Sequence, residues 1–276
     1  MSDFCHFLAL AKSSPCLVKL GNRSLFIWAK IWNINTIYFH KDKKLCGIVT
    51  LNYFCAMQYF NLHTHQFTNQ TDVLELVNQY PQEFDATIPF YSIGIHPLYI
   101  DENRLEKDFQ IVDQKLALPE CLALGECGLD KRSETPFELQ QSVFEKQLAL
   151  AEKHQKPVVI HCVAAFQELI EIKKRMKITV PMLIHGFSKN EQLAQQVIDA
   201  GFYVSFGKNL LRNPALESVF TSVPNDRFFL ETDTIEEGIQ GVYALAAKYK
   251  NIEVEELQKI VNANFNTVFK LVHLNS

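Results

Sequence analysis

Six side chains that can bind a metal ion or accept a proton each follow a short apolar run in this sequence. They are His63, His65, Glu126, His161, His185 and Asp233. Four imidazoles and two carboxylates are costly to bury in one cleft unless a cation compensates them. A histidine and carboxylate set without thiolates suits a divalent ion such as Zn, Mn or Mg. A carboxylate such as Glu126 can bridge two such ions about 3.5–4 Å apart.

Taken singly, each of these residues also has an ordinary structural interpretation. A lone histidine at a strand end is more often a structural residue than a ligand, and Glu126 and Asp233 would both serve as helix caps. Cys127 and Cys162 are interpreted as packing residues, because free cysteine behaves as a small buried hydrophobe. The His63 and His65 pair is more informative, since residues two apart on a strand point the same way and can hold one ion. The joint pattern of all six favours a metal site with two ions.

The elements that would position these residues alternate along the chain from residue 57 onward. Apolar runs predict strands at 59–62, 91–95, 121–124, 157–160, 182–184, 202–206 and 228–230. Helical spacing is found at 72–80, 101–116, 136–154, 164–176, 190–200 and 252–271. This alternation predicts parallel strands with helical crossovers, and the C-terminal strand ends of such barrels form the active-site face. We therefore expect an α/β fold, a distorted TIM-type barrel with seven strands.

The first 56 residues differ in composition from the rest. Residues 1–56 carry seven basic and two acidic residues, a net charge of +5, whereas residues 57–276 carry 20 basic and 29 acidic residues, a net charge of −9. The apolar residues of the first segment have no sustained period, and Met57 directly precedes the first predicted strand. We predict that residues 1–56 are a non-barrel extension outside the native working protein and that 57–276 form the barrel.

The N-terminal segment, the longest uncharged stretch and the cysteines indicate the cellular compartment of the protein. No basic leader precedes the apolar stretch near the N-terminus, so a secretory signal is not predicted. The longest uncharged stretch, 45–62, is interrupted by polar residues and does not suit a membrane span. Seven cysteines without CxxC spacing suit a reducing compartment. We expect a cytoplasmic protein with no membrane contact and no obligate protein partner.

Short motifs resemble the TatD family of metal-dependent hydrolases, whose known members are mainly deoxyribonucleases. They occur in the family's order, as "NLHTHQF" at 61–67, "GIHP" at 94–97, "GECGLD" at 125–130, "PVVIHC" at 157–162, "LIHGFS" at 183–188, "LETD" at 230–233 and "NANFNTVF" at 262–269. The resemblance implies that His63 and His65 hold the first ion and that Glu126 bridges. It implies further that His161 and His185 complete the second site, and that Asp233 binds metal and acts as general base.

The sequence departs from the family pattern in four places. Asn61 stands where members usually have Asp, which puts a hydrogen bond behind the first site in doubt. After His161 the family often has an Arg-Asp pair, but the residues here are Cys162, Val163 and Ala164, and no Pro-containing loop follows Asp233. Only 33 positions separate His63 from His96. The sequence therefore predicts that the second strand–helix unit is absent.

Three functions are weighed. The first is a phosphodiesterase acting on DNA. Its candidate contacts to the DNA backbone are Lys131, Arg132, Lys189, Lys208 and Arg212, although an ordinary solvated surface is the plainer interpretation of each. Its candidate rings for stacking on bases are Phe187 and Phe206, although core packing is the plainer interpretation of both. The net charge of −9 counts against a broad basic surface. The second is a small-molecule amidohydrolase with the same metal pair. The absence of the basic side chain that the family often has after His161 favours it. The third, a degenerate barrel kept for binding, requires a broken metal site, and the sequence shows none.

Overall fold

The structure is a computed structural model, and it describes residues 58–269 together with the backbone of four strands within residues 15–49. In this N-terminal part, β1 (Pro15–Leu20) pairs with β2 (Arg23–Trp28), and β3 (Ile37–Lys41) pairs with β4 (Lys44–Val49), both antiparallel. The chain divides into two compact units, of which residues 57–272 contain the barrel. That residues 1–56 stand outside the working protein stays a prediction.

Eight parallel strands form one sheet in sequence order. They are β5 (Tyr59–Thr64), β6 (Val73–Gln79), β7 (Tyr91–Ile93), β8 (Cys121–Asp130), β9 (Val158–Val163), β10 (Met182–Ile184), β11 (Phe202–Phe206) and β12 (Phe228–Leu230). The chain just after β12 returns to β5 through a parallel bridge between Thr64 and Asp233. In this bridge, Asp233 N–H donates to the carbonyl of His63 at 2.9 Å. The predicted TIM-type α/β fold is confirmed.

Helices follow most strands and cover the sheet. They are α1 (Leu105–Leu116), α2 (Phe137–His154), α3 (Phe166–Met176), α4 (Glu191–Asp199), α5 (Lys208–Arg212), α6 (Leu216–Ser222), α7 (Ile239–Lys250) and α8 (Val254–Phe269). Local sequence sets several ends: Asn190 caps α4 by accepting from Leu193 N–H at 3.0 Å, and α2 stops at Gln155 in the left-handed region. None of the helices within residues 58–269 combines the length and apolar composition that a membrane span requires.

The helix predicted at 72–80 is wrong, because this segment forms strand β6. Its polar residues looked like the solvent face of a helix, but Glu75, Asn78 and Gln79 are all buried. Each has a partner: Glu75 accepts from the hydroxyl of Thr68 at 2.7 Å, Asn78 accepts from Glu126 N–H at 2.7 Å, and Gln79 accepts from Asp85 N–H at 3.1 Å. Hydrogen bonds to partners outside β6 therefore allow these polar side chains to be buried in a strand, although their spacing in the sequence is typical of a helix.

The predicted count of seven strands is also wrong, because the second strand–helix unit keeps its strand and lacks only its α-helix. Strand β6 supplies the eighth strand, so the second unit keeps its strand. The links from β5 to β6 and from β6 to β7 contain no α-helix in this described stretch, only the 3₁₀ turn Pro81–Glu83. Two short connections, from β5 to β6 and from β6 to β7, thus explain why His63 and His96 are close in sequence. They join three neighbouring strands of the sheet.

The core beneath the site is rich in aromatic rings. Phe60 of β5 packs edge-on against Phe229, Phe265 and Phe269, with ring centroids 4.7–5.8 Å apart. The buried hydroxyl of Tyr243 donates to the carbonyl of Phe60 at 3.0 Å and accepts from its N–H at 3.1 Å. Helices α7 and α8 therefore fix the strand that carries His63.

Candidate metal centre

The structure brings all six predicted site residues to the C-terminal ends of the strands. His63 lies in β5 and His65 follows it, Glu126 lies in β8, His161 lies in β9, His185 follows β10, and Asp233 lies beyond β12. Their side chains meet although five different strands supply them. The ligand assignments themselves stay a prediction.

Glu126 stands at the middle of this cluster. Its Oε1 lies 2.8 Å from His185 Nε2 and 3.0 Å from His161 Nδ1, and its Oε2 lies 3.5 Å from His63 Nε2 and 3.8 Å from His65 Nε2. Burial opposes ionisation of this carboxyl, but the charge of His185 and the hydrogen bonds from His161 and His185 hold its pKa well below the usual range. Glu126 is therefore a buried carboxylate with one oxygen toward each half of the cluster.

The charge on His185 is coupled to that carboxylate. Burial would lower the pKa of the imidazole, but the adjacent Glu126 charge and their hydrogen bond raise it well above the ordinary value. Behind the ring, His185 Nδ1 lies 3.6 Å from Oε1 of Glu231, a fully buried residue whose other oxygen accepts from the hydroxyl of Ser205. A carboxylate behind an imidazole fixes the ring and leaves its other nitrogen for a ligand.

Within residues 58–269, possible ligand atoms form three compact groups, and the atoms of each group lie within 4.8 Å of one another. These are His63 with His65 and Asp233, His63 with Glu126 and His185, and His96 with Glu126 and His161. A test of fit comes from His63, which is fully buried yet has no hydrogen bond to either ring nitrogen from the described residues. An imidazole buried without a hydrogen bond is costly unless a cation takes its lone pair. The residues thus fit divalent metal ions.

Asp233 is held in place by β5, the first strand of the barrel. Asn61 Nδ2 donates to the Thr232 hydroxyl at 2.8 Å, and its Oδ1 accepts from Thr232 N–H at 3.0 Å. The amide therefore clamps the residue before Asp233, and both of these hydrogen bonds go to Thr232 and neither to His63 or His65. Asp233 itself has a φ of 56°, in the left-handed region, and its Oδ1 lies 3.5 Å from His65 Nε2.

Sequence reasoning missed His96, whose Nε2 lies 3.2 Å from Glu126 Oε1. Leu98 N–H donates to His96 Nδ1 at 3.1 Å, so that nitrogen carries the lone pair and the proton lies on Nε2. Burial lowers the pKa of His96 and keeps the ring neutral. This arrangement makes His96 a hydrogen-bond donor into the centre. The signal was present, because His96 directly follows the run predicted as a strand at 91–95.

Asp130 was the second omission. It ends β8, and its Oδ2 lies 3.2 Å from His161 Nε2, on the opposite side of the ring from Glu126. Gln140 of α2 accepts from Asp130 N–H at 2.8 Å and donates to its carbonyl at 3.0 Å. Asp130 therefore orients the imidazole of His161. Only the "GECGLD" motif pointed to it, because the apolar run that predicted the strand stopped at residue 124.

The predicted cations and rings divide into free and engaged groups. Lys131 is paired with Glu168, and Lys208 donates to the Thr234 hydroxyl at 3.2 Å. Within residues 58–269 no ion pair involves Arg132, Lys189 or Arg212. The candidate stacking rings, Phe187 and Phe206, are only 2% and 0% exposed, so they belong to the core.

A TIM-type barrel with a histidine and carboxylate cluster at its C-terminal face defines the class of metal-dependent hydrolases. The chain belongs to the TatD family, because the model of that family, described as TatD related DNase, matches residues 51–270. A metal-dependent hydrolase of Bacillus subtilis, YabD, is 27% identical over 219 residues, covering 73% of this chain and 83% of that protein. The 3'-5' ssDNA/RNA exonuclease TatD of Citrobacter rodentium is 32% identical over 51% of this chain and 55% of that protein.

Solved structures show the same fold. YJJV, a TatD homolog from Escherichia coli, superposes with a TM-score of 0.67 at 20% identity, over 79% of this chain and 99% of that chain. An uncharacterized amidohydrolase from Saccharomyces cerevisiae superposes with a TM-score of 0.63 at 13% identity, over 77% of this chain and 99% of that one. At such identities the likeness concerns architecture alone.

Proposed function

We propose that this protein is a phosphodiesterase acting on DNA through two divalent cations. The observation that carries the proposal is the position of Glu126, whose two oxygens face separate groups of histidines. His63, His65 and Asp233 would hold the first ion, His161 and His185 the second, and Glu126 both. When bound, the ions supply Lewis-acid stabilisation to the attacked phosphate and make a nearby water more acidic.

Asp233 is proposed as the general base. Burial opposes its ionisation, but the hydrogen bond to His65 and the charges of His63 and His185 lower the pKa of the carboxyl below its ordinary value. It is therefore an acceptor near neutral pH, and its side chain is 25% exposed toward the mouth of the barrel. Asp233 takes the proton of the attacking water as the new P–O bond forms, and the ester P–O bond breaks with its electron pair leaving on the departing oxygen.

Support for a nucleic-acid substrate comes from family membership and from the name of the Citrobacter relative, an exonuclease of single-stranded DNA and RNA. The alternative is hydrolysis of a small amide at the same centre. Its specific support is the absence of a cation directly after His161, where Cys162, Val163 and Ala164 stand. The two functions share the metals and the base and differ in the group attacked.

The test combines metal analysis with a substrate panel. Purified protein should contain two divalent ions per chain and should hydrolyse single-stranded DNA and a phosphodiester analogue, and excess EDTA should abolish both activities. Glu126→Gln should lose the pair of ions and most of the hydrolysis, whereas Glu171→Gln, an exposed position on α3, should keep both. Full hydrolysis in EDTA would contradict the metal mechanism. Turnover of small amides with every phosphodiester untouched would establish the amidohydrolase instead.

A further inference from the structure

Two tyrosines stand beside the metal centre at the ends of neighbouring strands. Tyr80 directly follows β6, and Tyr99 ends the 3₁₀ turn Pro97–Tyr99 after β7. Their rings meet edge to face, with centroids 5.3 Å apart and planes at 90°. The Tyr80 ring lies 6.2 Å from that of His65, and the Tyr99 ring lies 5.3 Å from that of His96. We call Tyr80 and Tyr99 the aromatic wall, because together they border one side of the cluster.

The wall is open to solvent. Tyr99 is 48% exposed and its neighbour Leu98 is 49% exposed, while Tyr80 is half-buried. Of the four large hydrophobic residues exposed within residues 58–269, three (Phe67, Leu98 and Tyr99) belong to loops that follow β5 and β7. These loops lie at the same end of the barrel as the metal centre. Exposed apolar surface concentrated beside a reactive centre is typical of a surface that binds a ligand.

The exposed ring rests on a fixed backbone. Tyr99 N–H donates to the carbonyl of His96 at 2.9 Å, and its own carbonyl accepts from Arg104 Nη2 at 2.8 Å. Arg104 is itself paired at 3.0 Å with Asp108, a buried residue of α1. A side chain held on such a turn loses little freedom when it contacts a ligand. The position of Tyr99 is therefore preorganised.

An exposed, neutral ring face next to a phosphate-binding centre suits a flat, neutral group attached to that phosphate. The wall offers ring faces and hydroxyl groups, and burial raises the pKa of Tyr80 so that its hydroxyl stays protonated. Ring faces accept any base and give no sequence preference of their own. Stacking also provides affinity that a barrel segment with a net charge of −9 cannot obtain from a basic surface.

We propose that the aromatic wall stacks the base of the nucleotide whose phosphate lies at the metal centre. This inference rests on the proposed function and adds a substrate determinant to it. The buried rings of Phe187 and Phe206 are not available for this role. Tyr99 would carry most of the contact, because its ring is the more exposed of the two.

The test measures equilibrium binding to the metal-loaded full-length protein. The probes are thymidine 5′-monophosphate and its abasic analogue, 1,2-dideoxyribose 5-phosphate, which share the phosphate and differ in the base. Wild-type protein should bind the nucleotide more tightly by about 5- to 150-fold, the range expected for one stacked base. Tyr99→Leu should reduce that preference to about twofold or less, and Tyr99→Phe, which keeps the ring, should retain it. Tyr249→Leu, near the C-terminal end of α7, is the matched control and should match wild type.

The outcomes separate the two proposals when hydrolysis of single-stranded DNA is measured in parallel. Wild-type protein that cleaves DNA but binds both probes equally would overturn the aromatic wall and leave the phosphodiesterase standing. Full retention of the preference in Tyr99→Leu would overturn the wall in the same way. A base preference that depends on Tyr99, in a protein that cleaves no phosphodiester, would support the wall and overturn the phosphodiesterase. A preference for aromatic amides over both probes would assign the wall to another ligand and overturn it.

Discussion

At the scale of single residues, Asp233 combines an unusual backbone with the chemical role proposed for it. Its φ of 56° lies in the left-handed region, which costs most residues about 1 kcal/mol or more and which Asp and Asn tolerate best. The bend turns its carboxylate toward His65, while Asn61 holds the preceding residue. The conformation is therefore part of how the proposed base is positioned.

The substitution Asp233→Asn tests that role with little disturbance of the backbone. The amide keeps the left-handed conformation but cannot accept the proton of water, so kcat should fall by about 10²- to 10⁴-fold with a much smaller change in substrate affinity. Steady-state kinetics of metal-saturated protein would measure both constants. Asp226→Asn, an exposed position before β12, is the control. Comparable turnover in the Asp233 variant would show that another group is the base.

There is a physical reason why Asp130 was not selected from the sequence alone. Strand β8 continues to Asp130, although its predicted apolar run ends at residue 124. The extension depends on Gly128, whose φ is 148° and where a Cβ atom would lie 2.0 Å from the carbonyl oxygen of His161. A glycine in a strand breaks the apolar pattern in the sequence while it permits close approach in the fold. The apolar run stops at Gly125 and Glu126, and Gly128 interrupts the residues beyond them, so Asp130 does not directly follow a run from which a strand end could be predicted.

At the scale of elements, helix α2 fixes two strand ends through buried glutamines. Gln147 accepts from Ile95 N–H at 2.7 Å and donates to the Ile95 carbonyl at 3.0 Å, directly before His96. Gln140 makes the equivalent pair of bonds to Asp130. The two glutamines are seven positions apart on the buried face of one helix. The helix therefore sets the positions of both His96 and Asp130.

Replacing Gln147 by Leu should destabilise the barrel and displace His96. The substitution leaves the N–H and carbonyl of Ile95 buried without partners, which costs about 1–3 kcal/mol for each group. We expect the free energy of unfolding, measured with urea, to fall by about 2–6 kcal/mol. Gln141→Leu, at a half-buried surface position on the same helix, should change it by less than about 0.5 kcal/mol. Equal losses in the two variants would contradict the role given to Gln147.

The elements were predicted best where burial follows the apolar pattern. Strands β10, β11 and β12 lie at the predicted positions, since their residues are apolar and almost all buried. Strand β6 was mistaken for a helix because three of its seven residues are polar, and their partners, Thr68 and Asp85 among them, lie outside the strand. Pairing between a buried polar side chain and a loop depends on tertiary structure, which no local period records.

At the scale of the whole molecule, charge predicts how DNA binding should respond to salt. Three cations named from the sequence, Arg132, Lys189 and Arg212, have no ion pair within residues 58–269 and are free to contact phosphates. For single strands the logarithm of the binding constant should fall with the logarithm of salt concentration with a slope of about −2. Binding by Asp233→Asn protein, which should not cleave, would measure it. A slope steeper than about −5 would reveal a broad basic surface instead.

The extent of the working protein is a separate prediction. A truncated chain that begins at Met57 keeps β5 to β12 and all six predicted ligands. We expect it to be soluble, to bind the same metals and to match the full-length chain in activity. Mass spectrometry of the native protein should find its first residue at or near Met57. Aggregation or metal loss in the truncated chain, with an active full-length chain, would show that residues 1–56 are structural.

The closure of the barrel between β5 and β12 has a consequence for synthesis on the ribosome. Asn61 and Thr232, whose side chains hold the two ends of the barrel together, are separated by 171 positions. A ribosome adding about 5–20 residues per second needs roughly 8–35 seconds to pass from the first histidine pair to Asp233. During that interval the nascent chain carries His63 and His65 without the base that would complete their site. On the proposed mechanism, hydrolytic capacity arises only once Asp233, which follows the last strand, has been made, and a chain that terminates before it is released without that capacity.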